Sequence, residues 1–149
     1  MSKRHEKNPK FVVGWREWVA IPELRIPAIK AKVDTGARSS AIHAHSIEHY
    51  RQDGILMVGF VVELDHLGHE IECHAEIFDR REVKDSGGHP EIRPFISSIV
   101  RIGTFEWPVE LSLTNRESMK FRMLLGRQAL AGYFLVDSIG SYLMGGNLS

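Results

Sequence analysis

The sequence predicts an all-β domain, a small closed or nearly closed sheet with one short helix near its C-terminus. Three observations lead there. Apolar and β-branched residues recur in short alternating runs rather than at helical spacing. Gly and Pro clusters separate those runs. Only "RQALAGY", residues 127–133, has helical character, and it is long enough for about two turns at most.

Each element follows from its own pattern. "FVVGWREWVAI" places Val13, Trp15, Glu17 and Val19 on one face and Val12, Gly14, Arg16 and Trp18 on the other, so residues 11–21 read as one strand. Pro22 ends it or confines it to an edge. "IPAIKAKVD" sets Ala28, Lys30 and Lys32 against Ile29, Ala31 and Val33, a second strand that runs into Asp34. "SSAIHAHSIEHY" is mixed; residues 40–44 read as a short strand and 46–51 as a turn or brief helix. "ILMVGFVVELD" and "EIECHAEIFDRREV" flank "HLGH", a hairpin signal with Gly68 in the turn. "KDSGGHPE" is a second turn. "PFISSIVRIG", "FEWPVELSLT" and "KFRMLLG" are three further strands, and "FLVD" is the last. Residues 1–10 are expected to be a flexible tail, 11–137 one domain and 138–149 a loose C-terminal tail.

Composition excludes several classes. The chain has 149 residues and a formal net charge of zero, which argues against a nucleic-acid binder. Cys73 is the single cysteine, so no internal disulfide forms and no oxidising compartment is called for. The start "MSKRHEKNPK" lacks the apolar core of a signal peptide, and no run is long enough for a membrane span. A cytoplasmic protein with no nucleic-acid or membrane partner is expected. No phosphate-binding Gly-rich loop and no nucleophile elbow occur.

The eight histidines invite a metal reading. His69 and His74 are five apart, which in a strand sends them to opposite faces. His43 and His45 share a strand face and supply two ligands only if His66 or another group meets them in space. Scattered histidines are the simpler account. No metal and no cofactor are expected, and a metal-dependent hydrolase is the weakest functional alternative. Cys73 reads as a small buried apolar residue rather than a nucleophile.

Two segments carry the chemistry. "KVDTGARSSA" places Asp34, Thr35 and Gly36 at the end of an apolar strand; "MLLGRQAL" is an apolar run, then Gly-Arg, then the short helix. Together, in this order, they resemble the retropepsin family of aspartic proteases, in which the two segments cross beneath the active site. "KVDTGARSSAIHA", "EIRPFI" and "MLLGR" are similar to a bacterial and archaeal group of small retropepsin-like proteins labelled ATP-dependent zinc proteases and associated with RimK-type ATP-grasp glutamate ligases. The resemblance covers about residues 11–137. These residues themselves supply neither a zinc ligand set nor an ATP loop.

The resemblance implies a closed β-barrel of the acid-protease type and an aspartic endopeptidase. Asp-Thr-Gly occurs once, and Asp53, Asp65, Asp79, Asp85 and Asp137 lack that context. A homodimer would therefore supply Asp34 twice, across a two-fold axis. Thr35 is implied to bond across that axis, and Gly36 to let substrate backbone approach. Ala37 stands where pepsin-type enzymes often carry Ser, which suits work nearer neutral pH. Gly87 and Gly88 mark the tip of the expected flap; the hairpin tip at 66–68 is its rival. Arg38 replaces the acid that pairs with the Gly-Arg arginine in retroviral enzymes, here Arg127. Either Glu48, Glu91 or Asp137 bridges the two cations, or that end of the cleft is basic and binds acidic peptides, or Arg38 caps local carbonyls. The function expected is endopeptidase action on acidic or glutamate-modified protein tails. The alternative is a non-catalytic partner or scaffold for an ATP-grasp ligase.

Overall fold

Alternation decides which strands build the wall of the molecule. In the computed structural model, which describes residues 10–145 apart from Ser86, twelve strands, a 3-10 turn at Pro22–Leu24 and one short α-helix follow one another. Most of the expected N-terminal tail and residues 146–149 lie outside the described residues. Strands β2 (Arg16–Ile21), β3 (Ile26–Val33), β4 (Ser40–His43), β9 (Pro90–Ile102), β10 (Phe105–Thr114) and β11 (Met123–Leu125) form a ring in the order β10-β4-β11-β3-β2-β9, and β9 pairs back onto β10 to close it. The result is a closed six-stranded barrel, as expected. Ile29, Ala31 and Val33 point inward from β3, between exposed Lys30 and Lys32. They meet Ile42, Leu111, Leu113, Met123 and Leu125 in the core. Each of these side chains larger than alanine contributes about 1.5–3 kcal/mol on burial.

Three smaller pieces attach to the barrel. β8 (Asp79–Lys84) pairs with the first half of β9, so their hairpin projects beyond the ring. β5 (His45–Gln52), β6 (Ile55–Glu63) and β7 (Glu70–Glu76) make a separate antiparallel sheet. β1 (Phe11–Val13) pairs in parallel with β12 (Phe134–Val136). Helix α1 (Arg127–Leu130) is a single turn.

Four expectations need correction. Residues 11–21 are two strands, because the chain bends at Gly14. A Cβ there would sit 2.1 Å from the Gly140 carbonyl oxygen, which accepts the Trp15 N–H at 2.9 Å. Residues 46–51 are strand, not turn or helix. Ser46 has φ 53°, and a register shift between His45 and Glu48 scrambles the alternation, while pairing with β6 sets the structure. "EIECHAEIFDRREV" is two strands that belong to different sheets, β7 and β8. The segment after 137 is docked as far as it is described. Buried Glu17 accepts backbone N–H groups from Gly14, Leu143 and Met144 at 2.7, 2.9 and 3.1 Å. Tyr142 stacks on Trp18 at 5.7 Å.

Candidate active site

Asp34 follows directly on β3. Its N–H donates to Leu125 of β11 at 2.9 Å, and its carbonyl accepts from Ala37 at 3.2 Å. Its Oδ1 accepts the Gly36 N–H at 2.9 Å. That last contact is ordinary Asp-Gly turn chemistry. The surroundings are less ordinary, because a second segment crosses here. Gly126 passes so close that a Cβ would lie 2.5 Å from the Ser39 oxygen and 2.9 Å from the Ala37 oxygen. The Gly126 N–H donates to Ser40 Oγ at 3.0 Å, and the N–H groups of Arg127 and Gln128 donate to Ala37 and Arg38 at 2.8 and 3.1 Å. The Arg127 side chain then donates to the carbonyls of Thr35 and Gly36 at 3.1 and 3.0 Å. The Asp-Thr-Gly loop is thus fastened from below by backbone and from the side by one guanidinium.

A cleft of about 1290 Å³ opens beside this loop. Asp34, Gly36, Ala37 and Arg38 line one wall, and residues 81–85 of the β8–β9 hairpin line the other. Residues 66–68 belong to the separate β5–β6–β7 sheet and are not among the lining residues. Asp85 holds the hairpin tip together: its Oδ1 accepts the N–H groups of Gly87 and His89, each at 2.9 Å. Those bonds, the one from His89 foremost, hold its carboxyl below the usual range. Gly88 has φ +81°, which the tip requires of a glycine. Gly87 and Gly88 lie at the tip, beyond the lining residues, and Arg127 lies behind the loop rather than in the cleft.

Among the charged lining residues that the sequence did not single out are Arg81, Arg93, Glu110 and Arg116. Arg81 and Arg93 are direct cross-strand partners on β8 and β9. Like charges so placed repel. Asp79 and Glu110 hold Arg81 at 2.8 and 3.0 Å, and Glu91 holds the buried Arg93 at 3.1 Å. A cation on the inward phase of an alternating strand was the available signal. Arg38, Lys84 and Arg116 also line the cleft, and among the described residues none of them has an ion-pair partner. None of the three bridging acids expected from the sequence serves Arg38 or Arg127. Glu91 holds Arg93, Asp137 Oδ1 accepts the N–H groups of Ile139 and Gly140, and Glu48 lies on β5.

The histidines separate. His43 is buried, and its Nδ1 accepts the Arg116 N–H at 3.1 Å, so its Nε2 carries the proton and faces Glu63 at 3.4 Å. His45 Nε2 faces Glu70 at 2.6 Å. Glu63 and Glu70 are a cross-strand pair, so Glu63 comes within 4.8 Å of His45 and Glu70 as one group, and of His43 and Glu117 as another. Spacing in the sequence did not reveal Glu63 as the link. Each of the two histidine rings already has a protein partner.

The crossing of an Asp-Thr-Gly loop and a Gly-Arg turn on a closed barrel has counterparts elsewhere. Residues 12–145 match the family described as RimB-like, retropepsin-like aspartic endopeptidase RimB. The chain belongs to that family. Among curated proteins, a probable alpha-L-glutamate ligase of Shewanella halifaxensis is 44% identical over 138 residues, which is 91% of this chain and 30% of that protein. One of Desulfotalea psychrophila is 40% identical over 130 residues, 86% of this chain and 28% of that protein. The chain therefore spans less than a third of the length of these relatives. A crystal structure of a Legionella pneumophila protein of unknown function superposes with a TM-score of 0.77 at 25% identity, covering 91% of this chain and 98% of that one. Among the described residues, no helix of this RimB-like domain is long and apolar enough to cross a membrane.

Proposed function

We propose that this RimB-like domain is an aspartic endopeptidase that works as a homodimer, with the Asp34 carboxylates of two copies flanking one water. The observation that carries the reading is the fastening of Asp34 at the wall of the cleft, between the Leu125 carbonyl and the Gly126 crossing. Two carboxylates so close hold one proton between them, because both cannot ionise cheaply. The ionised carboxylate takes a proton from water as the water oxygen bonds to the peptide carbonyl carbon. The protonated one gives its proton to the carbonyl oxygen. Collapse of the tetrahedral species breaks the C–N bond: the leaving amine takes the proton that the first carboxylate had accepted from water, and a hydroxyl of the species returns a proton to the second, which restores the pair. No bond to the enzyme forms. In this reading Thr35 bonds across the two-fold axis, Gly36 admits the substrate backbone, and Ala37 lines the subsite beside it. The β8–β9 hairpin, with Gly87 and Gly88 at its tip, covers the substrate.

The substrate class follows from charge. Arg38, Lys84 and Arg116 line the cleft without ion pairs among the described residues, so the domain acts on peptides that carry carboxylates, glutamate-bearing tails in particular. A charge-assisted pair there adds about 1.5–3 kcal/mol. The test compares Glu-rich and Gln-rich versions of one peptide with the parent, Asp34→Asn and Arg38→Ala. The parent cleaves the Glu peptide faster, Arg38→Ala narrows the gap, and Asp34→Asn stays folded and cleaves neither. An Asp34→Asn protein as active as the parent removes Asp34 from the chemistry.

A second reading has one observation in its favour. The curated relatives, named glutamate ligases, are more than three times as long as the matched region. A non-catalytic partner or scaffold for an ATP-grasp ligase fits that pattern. It requires no cleavage by the parent at any protein concentration, with ligase binding that Asp34→Asn leaves intact.

A further inference from the structure

Three residues of the cleft wall, Arg116, Ser118 and Met119, belong to the segment "NRESMKFR", residues 115–122, that joins β10 to β11. The segment is polar and carries no Gly or Pro to fix its backbone. It nevertheless makes a closed turn, in which the Met119 N–H donates to the Arg116 carbonyl at 3.0 Å. Phe121, edge-on to Trp15 at 5.7 Å, anchors the chain after that turn. The turn itself is held from β4.

His43, the last residue of β4, is fully buried. Its backbone N–H donates to the Arg122 carbonyl at 2.8 Å, and its Nδ1 accepts the Arg116 N–H at 3.1 Å. One residue thus grips both ends of the segment. Its Nε2 faces Glu63 Oε1 at 3.4 Å, and Glu63 Oε2 accepts from Arg122 Nη2 at 3.2 Å. Arg122 Nη1 then donates to the Met119 carbonyl at 3.4 Å. The relay starts at the first residue of the turn and ends at its last. Its members are sheltered, since the Arg122 and Glu63 side chains are only 13% and 20% exposed. Arg122 Nε is buried without an acceptor. Packing alone does not call for a buried imidazole, a carboxylate and a guanidinium with an unpaired donor; apolar side chains fill such space at less expense.

Arg116 is the cation that this arrangement delivers. It lines the cleft and, among the described residues, has no ion-pair partner. Its long side chain has many rotamers, so the head group is placed only as well as its backbone is. We propose that His43 is a positioning residue of the cleft: its Nδ1 on the Arg116 N–H, and its Nε2 acting through Glu63 and Arg122 on the Met119 carbonyl, fix the turn at 116–119 so that Arg116 stands where a substrate carboxylate meets it. This rests on the reading above that the cleft takes carboxylate-bearing peptides, and names what sets that preference. The ring is buried with both nitrogens engaged by the protein, so it acts through Arg116 and not on the substrate.

The test compares the full chain with His43→Leu, His43→Asn and Arg116→Gln on the Glu-rich and Gln-rich peptides, with folding checked by urea unfolding. Asn keeps an acceptor near the place of Nδ1 but stops short of Glu63; Leu keeps neither contact. His43→Leu should raise KM for the Glu peptide about tenfold, the worth of one charge-assisted pair, with kcat and the KM for the Gln peptide within about twofold of the parent. His43→Asn should recover most of that loss. Arg116→Gln should show the same rise, and the double variant no further one, because both changes act on one contact. A loss that falls equally on both peptides, that lies in kcat, or that adds to the loss of Arg116→Gln overturns the inference and leaves the endopeptidase standing. Where His43→Leu does not fold, His43→Gln takes its place, since Gln reaches Glu63 without offering an acceptor at the δ position. A parent that cleaves neither peptide removes the endopeptidase reading. Binding of the Glu peptide, read by fluorescence anisotropy, then decides the inference: about tenfold weaker binding by His43→Leu supports it, and equal binding or none overturns it.

Discussion

Replacing Gly126 with alanine tests the crossing on which the site depends. Gly126 has φ −93° and ψ 179°, a backbone that alanine adopts freely, so the cost is steric alone. The new methyl would lie 2.5 Å from the Ser39 oxygen, 2.7 Å from the Ser39 carbonyl carbon and 2.9 Å from the Ala37 oxygen. All three are backbone atoms, so no side chain can rotate away. Relief requires the two segments to part by at least about half an Å, which opens the 2.8 Å bond from Arg127 N–H to Ala37. Overpacking costs about 1–3 kcal/mol. The weakened hydrogen bond adds about 1 kcal/mol. The restricted unfolded chain returns about 0.4–1 kcal/mol. The net expectation is a loss of about 2–3 kcal/mol in urea unfolding, with an unchanged m-value. Peptide cleavage should fall further than the folded fraction does, because the displaced carbonyls belong to the loop that holds Asp34. A Gly126→Ala protein within about 0.5 kcal/mol of the parent would refute the tight crossing; surface changes without consequence fall in that range.

Arg127→Met removes the donors to the Thr35 and Gly36 carbonyls. It should cost about 1–2 kcal/mol and speed hydrogen exchange at Gly36 and Ala37, measured by NMR. Glu17→Ala leaves the N–H groups of Gly14, Leu143 and Met144 without their acceptor. A loss of at least about 3 kcal/mol is expected, together with protease cutting after Gly140 that the parent resists. Burial pushes the Cys73 thiol up to about 11 from 9.0. The parent should resist alkylation at pH 8 until it unfolds. The unfolded thiol ionises first, so stability falls as pH rises from 9 towards 11, by at most about 1.4 kcal/mol per pH unit, and Cys73→Ala removes that slope.

The barrel was legible because its strands alternate in plain view. Ile29, Ala31 and Val33 against Lys30 and Lys32 announce β3, and Gly103, with φ +61°, joins β9 to β10 in a two-residue turn. The Asp34 loop and the Gly126–Arg127 step were legible for a different reason, since their local chemistry is distinctive. What failed was set by distant partners. Gly14 breaks a strand only because Gly140 lies against it, and residues 46–51 are strand only because β6 is there to pair with them. The part played by Arg127 was hidden as well. An arginine after glycine suggests an ion pair, but here it serves two carbonyls, and carbonyl positions leave no mark in a sequence. Arg81 and Arg93 became cleft residues only once β8 was seen to leave the β7 sheet for the barrel.

Strand β9 is continuous for thirteen residues, from the hairpin arm into the barrel wall. Its first half pairs with β8 and its second with β10, and buried Phe95 belongs to both pairings. The arm over the cleft is therefore a cantilever rooted in the core, not a loop on flexible ends. Arg81 rests on the Phe95 ring at 4.5 Å, where the beam enters its support. The next residue, Ile96, packs in the barrel core, so the base of the arm is held by that packing. The root of the arm is itself part of the cleft wall, since Arg81 and Phe95 both line it.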